Sequence, residues 1–291
     1  MSIRVSSIEG NGQFLDGGSM FGNAPRAVWE KWISPDEQGR IPLACRALLV
    51  EIGSKKILLE TGIGSFFDPK MAARFGIQNY GRHILLESLK SLGIDQSEID
   101  FVILSHLHFD HAGGLLPTYE EMEKGKKDIV FTNAKFVVGK NAWKRAVEPH
   151  FRDKASFIPG LTELLESSGR LIIVEGKEGF AVDKRITFFE SSGHTPGQLH
   201  TLVRGENSSV AFAGDLIPGS SWVHLPITMG YDRYPEKLID EKKEFYETIL
   251  PKNGWIFFTH DPKWVAAQVQ CDEKGKYSPV ALQEHWSHFQ I

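Results

Sequence analysis

Aliphatic runs broken by short polar pairs set the pattern of the chain's first half. The segment IPLACRALLVEIGSKKILLETG (41–62) predicts two strands joined at GSKK, with Gly53 supplying the turn. In RHILLESLKSL (82–92), Leu85, Leu86, Leu89 and Leu92 share one helical face, and Gly93 stands where a C-terminal cap belongs. FVIL (101–104) predicts a short buried strand that runs straight into SHLHFDHAGG (105–114). In the second half, LIIVE (171–175) and ITFFES (186–191) predict strands, followed by the glycine-punctuated loop SSGHTPGQ (191–198). LHTLVRG and SVAFAGD then predict a hairpin that ends on Asp215. YPEKLIDEKKEFYETIL (234–250) predicts an amphipathic helix with Pro235 near its start and Leu238, Phe245, Ile249 and Leu250 on its inner face. WIFFTH (255–260) predicts a last strand, ending on a histidine. Strands flanked by helices place the chain in the α/β class, as two sheets packed between helices.

Composition narrows this reading. The 291 residues are 41% hydrophobic and 24% charged, without a linker-like tract or internal repeat, so a single domain over 1–291 is expected. A net charge of −4 and the lack of a basic stripe argue against nucleic-acid binding, and KGKK (124–127) reads as a solvated loop. No apolar run approaches the roughly 18 residues of a membrane span, and MSIRVSSIEG lacks the apolar core of a signal peptide. Two cysteines, Cys45 and Cys271, fit a reducing compartment, so a cytoplasmic location is expected.

The candidate chemistry lies at strand ends. The cluster at 106–111, His194, Asp215 and His260 each follow a predicted strand. Taken alone, His194 or His260 would be an ordinary hydrogen-bonded histidine, and Asp215 after Gly214 a turn residue. Together they form a set of imidazoles and carboxylates suited to zinc, manganese, iron or cobalt. Seven such groups exceed the four ligands of one tetrahedral ion, so two ions sharing a carboxylate fit better. In an extended loop His106 and His108 point the same way and can grip one ion. Asp110 and His111 come after the chain turns and can face a second, while Gly113 and Gly114 permit a tight backbone path.

SHLHFDHAGG, GHTPGQ, AGD and FFTHD resemble the successive ligand motifs of the metallo-β-lactamase-fold hydrolases, over nearly the whole chain. That resemblance implies an αββα sandwich of two mixed β-sheets flanked by helices, with a dinuclear site at one edge. By motif, His106, His108 and His194 would hold the first ion, Asp110, His111 and His260 the second, and Asp215 would bridge them. The implied cofactors are two divalent transition-metal ions, zinc first, with manganese, cobalt or iron as alternatives. Paired ions lower the pKa of water from about 15.7 toward roughly 7, and Asp110 would act as general acid and base.

Within the family, enzymes that destroy β-lactams usually carry a cysteine where Asp215 stands. Glyoxalase II-type thioesterases add a helical C-terminal region, whereas here 31 residues follow His260. Nucleases of the family carry basic surfaces and insertions, and flavodiiron proteins a flavin domain. DGGSMFGNAPRAVWEKW (16–32) and DLIPGSSWVHLPITMGYDRYP (215–235) instead resemble quorum-quenching N-acyl homoserine lactone lactonases. This implies a small-molecule lactone as substrate, the alternative being an organophosphate triester or a carboxylic ester, with a homodimer left open. Met20, Phe21, Phe109, Trp222 and His224 are the candidate pocket walls. Such lactonases often carry a carbonyl-polarising tyrosine three residues after the bridging aspartate; here that position is Pro218, so either the metal alone polarises the carbonyl, or His224 or Tyr231 contributes, or the substrate is not an acyl homoserine lactone.

Overall fold

Successive residues of a strand face opposite sides of its sheet, so a strand covered on both faces is apolar throughout. That rule organises the computed structural model, which describes residues 2–176 and 182–291. In β4 (Ala47–Ile52), Leu48 and Val50 face a core between two sheets, whereas Ala47 and Leu49 face a layer of helices. The same division recurs in β6 (Phe101–Leu104), with Ile103 against Val102 and Leu104. It recurs again in β7 (Lys135–Gly139), with Val137 against Phe136 and Val138.

The first sheet runs β15 (Phe289–Gln290), β1 (Ile3–Ile8), β4, β5 (Lys55–Leu59), β6, β7, β8 (Leu171–Val174). It is antiparallel from β15 to β5 and parallel from β5 to β8. The second runs β14 (Tyr277–Gln283), β13 (Ala266–Cys271), β12 (Trp255–Phe257), β11 (Ser209–Phe212), β10 (Gln198–Arg204), β9 (Ile186–Ser191), with β11 and β12 parallel. Helices Ile84–Ser91, Lys140–Val147 and Leu161–Ser167 cover the first sheet through Leu85, Leu89, Ala142, Ala146, Leu161 and Leu165. Helix Pro235–Glu244 covers the second through Leu238. The order of layers is therefore αββα, the expected sandwich of two mixed sheets. No helix among the described residues is long and apolar enough to cross a membrane.

Three segments differ from the sequence-based expectation. Residues 41–62 hold parts of three strands, because β3 (Arg40–Leu43) pairs with β2 (Gln13–Asp16) in a separate ribbon before β4 and β5 form their hairpin at Gly53. Pro42 lacks an N–H donor and is tolerated in a two-stranded ribbon. The helix from Pro235 loosens into a wider turn at Phe245–Ile249, closed by Leu250 N donating to Phe245 O at 2.9 Å. Pro251 forces Leu250 out of the helical region, to a ψ of 116°. Beyond His260 the chain adds β13 and β14 to the second sheet and then crosses to the first as β15.

Lys242 ties the outer helix to the loop that walls the site. Its side chain is fully buried, and Nζ donates to His224 O at 2.9 Å, Leu225 O at 3.2 Å and Ile227 O at 2.9 Å. Burial pulls its ammonium down to about 7. Lys242→Met keeps the apolar stem and strands three carbonyls, so thermal unfolding should show a loss of about 1–3 kcal/mol. An unchanged melting temperature would mean that these bonds do not hold the loop.

Candidate metal centre

Every group proposed from the sequence motifs arrives at one edge of the sandwich, because the strands that carry them end there. His106 and His108 follow β6, and the short helix Phe109–Ala112 carries Asp110 and His111. His194 lies between β9 and β10, Asp215 in the turn after β11, and His260 shortly after β12. The close approach expected at the paired glycines is present: a Cβ on Gly114 would stand 2.0 Å from Thr61 O, and Gly114 N donates to Gly62 O at 3.0 Å.

The donor atoms form two groups. His106 Nε2 lies 3.0 Å from His108 Nδ1, which lies 3.4 Å from His194 Nε2. His111 Nε2 lies 3.2 Å from His260 Nε2, and Asp110 reaches them with Oδ1 at 3.7 Å and Oδ2 at 3.6 Å, respectively. Asp215 stands between the groups, with Oδ2 3.2 Å from His194 Nε2 and 3.3 Å from His111 Nε2, and Oδ1 3.2 Å from His260 Nε2. A tetrahedral ion with ligands at about 2.0–2.1 Å needs ligand–ligand edges of roughly 3.3–3.4 Å, and these spacings scatter around that length.

Hydrogen bonds behind the rings decide which nitrogen faces inward. His260 Nδ1 meets Ala44 O at 2.7 Å, and a carbonyl only accepts, so Nδ1 carries the proton and Nε2 is bare. His194 Nδ1 donates to Asp232 Oδ1 at 2.9 Å, and His111 Nδ1 to Glu60 Oε2 at 2.8 Å. Ser105 Oγ donates to Glu60 Oε1 and so accepts from His106 Nδ1 at 2.9 Å. Four of the five imidazoles therefore turn Nε2 lone pairs toward one another, a contact that needs cations or protons between them. Glu60 also lies near His106 and His111, but both its oxygens are occupied, which makes it a support rather than a ligand. Its backbone sits at a φ of +65°, a conformation costing of order 1–3 kcal/mol for a non-glycine residue.

Charge balance agrees with this geometry. Burial and the neighbouring imidazoles hold His106 well below the usual imidazole range, and burial above all pulls His108 down to about 3. Burial opposes charging of His111 and His260, yet Glu60 and Asp215 beside the first and Asp215 beside the second raise both well above that range. Burial likewise disfavours the Asp215 carboxylate, but His111, His194 and His260 hold it well below the usual carboxylate range. Cations entering such a site displace protons from imidazoles. The arrangement fits a pair of divalent ions.

A cavity of about 660 Å³ opens onto His108, Asp110, His194, Asp215 and His260. Of the candidate pocket residues, Met20 and Phe109 line it, together with Phe14, Leu15, Leu43 and Phe75. Phe21, Trp222 and His224 do not. Phe21 stacks on Trp222 at 4.5 Å and on Trp29 at 5.5 Å, and Trp222 Nε1 donates to Met20 O, so these rings form a cluster behind the wall. His224 Nδ1 meets Tyr277 O at 3.0 Å and its ring packs near Trp32. Tyr231 lines the cavity, whereas Pro218 serves the backbone, accepting from His260 N at 2.8 Å. Sequence reasoning missed Glu60, Gln13 and Asp232; Gln13 Nε2 donates to Asp110 Oδ2 at 2.9 Å. A glutamate closing the apolar run KKILL was the one legible signal among them.

Comparison with known proteins agrees with the fold. An N-acyl homoserine lactonase of Bacillus thuringiensis is 25% identical over 251 residues, spanning 79% of this chain and 85% of that protein. A ribonuclease of Thermus thermophilus is 28% identical over 174 residues, 58% of this chain, and the match spans only 34% of the ribonuclease. Among solved structures, a probable metal-dependent hydrolase from Staphylococcus aureus superposes with a TM-score of 0.82 at 24% identity, covering 99% of this chain and 97% of that one. AidC, a dizinc quorum-quenching lactonase in complex with a product, superposes at 0.73 with 20% identity, covering 96% and 94%. The model of the metallo-beta-lactamase superfamily matches residues 40–260, from β3 through the last histidine of the site, and the chain belongs to that superfamily.

Proposed function

We propose that this chain is a dinuclear metal-dependent lactonase that opens N-acyl homoserine lactones. His106, His108 and His194 would hold one ion and Asp110, His111 and His260 the other, with Asp215 serving both and zinc as the first candidate. The observation that carries the reading is a cavity with an apolar wall of Phe14, Leu15, Phe75 and Phe109 that opens directly onto the donor cluster, of a size suited to a small molecule. The Bacillus thuringiensis relative, an N-acyl homoserine lactonase, supports the substrate class.

Two divalent ions bound there would supply acidified water and an electrophile for the ester carbonyl. The chain's own part is positioning and proton handling. Asp110 keeps 14% of its side chain exposed against 7% for Asp215, so it is the ligand carboxylate more open to the cavity. Gln13 occupies Asp110 Oδ2, leaving Oδ1 to take a proton from water and return it to the leaving alkoxide. Tyr231, in the cavity lining, would be the group to steady the carbonyl where Pro218 cannot. Phe14, Leu15, Phe75 and Phe109 take the acyl chain, and Phe75 packs on Phe109 at 4.5 Å.

Asp215→Asn should impair retention of both ions, because a carboxylate shared between cations is lost, whereas His260→Ala should weaken mainly one. Metal analysis after dialysis separates them, and full metal with full rate in both variants contradicts the assignment. Across a lactone series, kcat/KM should rise with acyl length, by roughly tenfold for two added carbons, since each buried methylene is worth up to about 0.8 kcal/mol. A flat series with faster cleavage of phosphotriesters or simple carboxylic esters, assayed alongside, would replace the lactonase reading with that alternative.

A further inference from the structure

Beyond the donor cluster the cavity is lined by four arginines, Arg40, Arg74, Arg152 and Arg233, against two carboxylates, Asp16 and Asp153. Both carboxylates are occupied: Asp16 Oδ1 accepts from Ser19 N at 2.7 Å, and Asp153 Oδ2 accepts from Arg145 Nη2 at 2.7 Å with Arg233 Nε 4.0 Å away. Arg40 is paired with Asp36 at 2.9 Å. Arg152 Nη2 donates to Gly230 O at 3.0 Å and meets no carboxylate among the described residues. Arg74 is exposed, and it has neither an ion pair nor a side-chain hydrogen bond among them. The mouth of the cavity therefore carries positive charge that the chain itself does not neutralise. Arg74 also ends an apolar path that starts at the metal centre. Phe109, next to Asp110, is buried; Phe75 packs on it at 4.5 Å and is half-buried; Arg74 is the neighbouring residue outward. Phe14 flanks this path, its N donating to Phe75 O at 2.9 Å, and the guanidinium of Arg40 lies 5.5 Å from its ring.

A neutral apolar tail lying along this path would strip water from Arg74 and give nothing in exchange. A carboxylate at the end of that tail replaces the lost water, because the planar guanidinium can donate two parallel hydrogen bonds to it. We propose that Arg74 receives a carboxylate at the far end of the substrate's acyl chain, which makes ω-carboxyacyl lactones the preferred substrate class. This deepens the lactonase reading and rests on it for the reacting end of the substrate.

The test is calorimetric binding of two ring-opened ligands, N-adipoyl-homoserine and N-hexanoyl-homoserine, to the zinc-loaded protein at low and high salt. Their acyl chains are equally long and differ only in whether they end in a carboxylate. The wild type should bind the adipoyl ligand at least about threefold tighter at low salt, the scale of a solvent-accessible ion pair, and the preference should shrink at high salt. Arg74→Met should bring the two affinities level or reverse their order. Absence of the preference, no binding of either ligand by the wild type, or a preference undiminished by salt or by Arg74→Met overturns the subsite. Turnover of N-hexanoyl-homoserine lactone by the same wild-type sample tests the lactonase reading separately. An Arg74-dependent preference without turnover leaves the carboxylate subsite and removes the lactonase, and turnover without the preference does the reverse.

Discussion

Bare imidazole nitrogens facing one another across 3.0–3.4 Å are the constraint on which the rest of the site depends. Apart from His108, each ring is turned inward by an acceptor behind it: the Ala44 carbonyl, Asp232, Glu60, or Ser105 backed by Glu60. Such a cluster, almost wholly buried, is unfavourable until positive charge enters it. The left-handed backbone of Glu60 shows how far the chain departs from local preference to keep those rings aimed.

The sandwich supplies what the cluster needs. β6, β11 and β12 end at the same edge, so loops distant in sequence deliver ligands to one point from rigid strands. Gly114 lets the segment after the cluster pass against Thr61, and Lys242 fastens the 224–227 loop from the opposite helical layer. The outer wall of the cavity, from Met229 to Arg233, follows directly from that fastened loop.

Much of this was legible in the sequence because the strands around the site are buried on both faces and read as unbroken apolar runs. FVIL and SVAF are examples, and each leads into a ligand motif. The edge strands β8 and β9 kept such runs, but β2, β3 and β14 are partly exposed and carry polar or proline residues that erase the alternation. The pocket walls were harder still. Phe21, Trp222 and Phe109 look alike as aromatic residues in irregular segments, and only tertiary packing places the first two in a separate cluster and the third at the cavity. Gln13 and Asp232 act through contacts that no sequence spacing encodes.

The account stands on two cations occupying the inward-facing cluster. Elemental analysis of the purified protein, reconstituted with excess zinc or manganese and then dialysed, measures this directly. Two ions per chain, with proton release on loading, is the predicted result. A stoichiometry that stays at one, or at none, with the fold intact would contradict it.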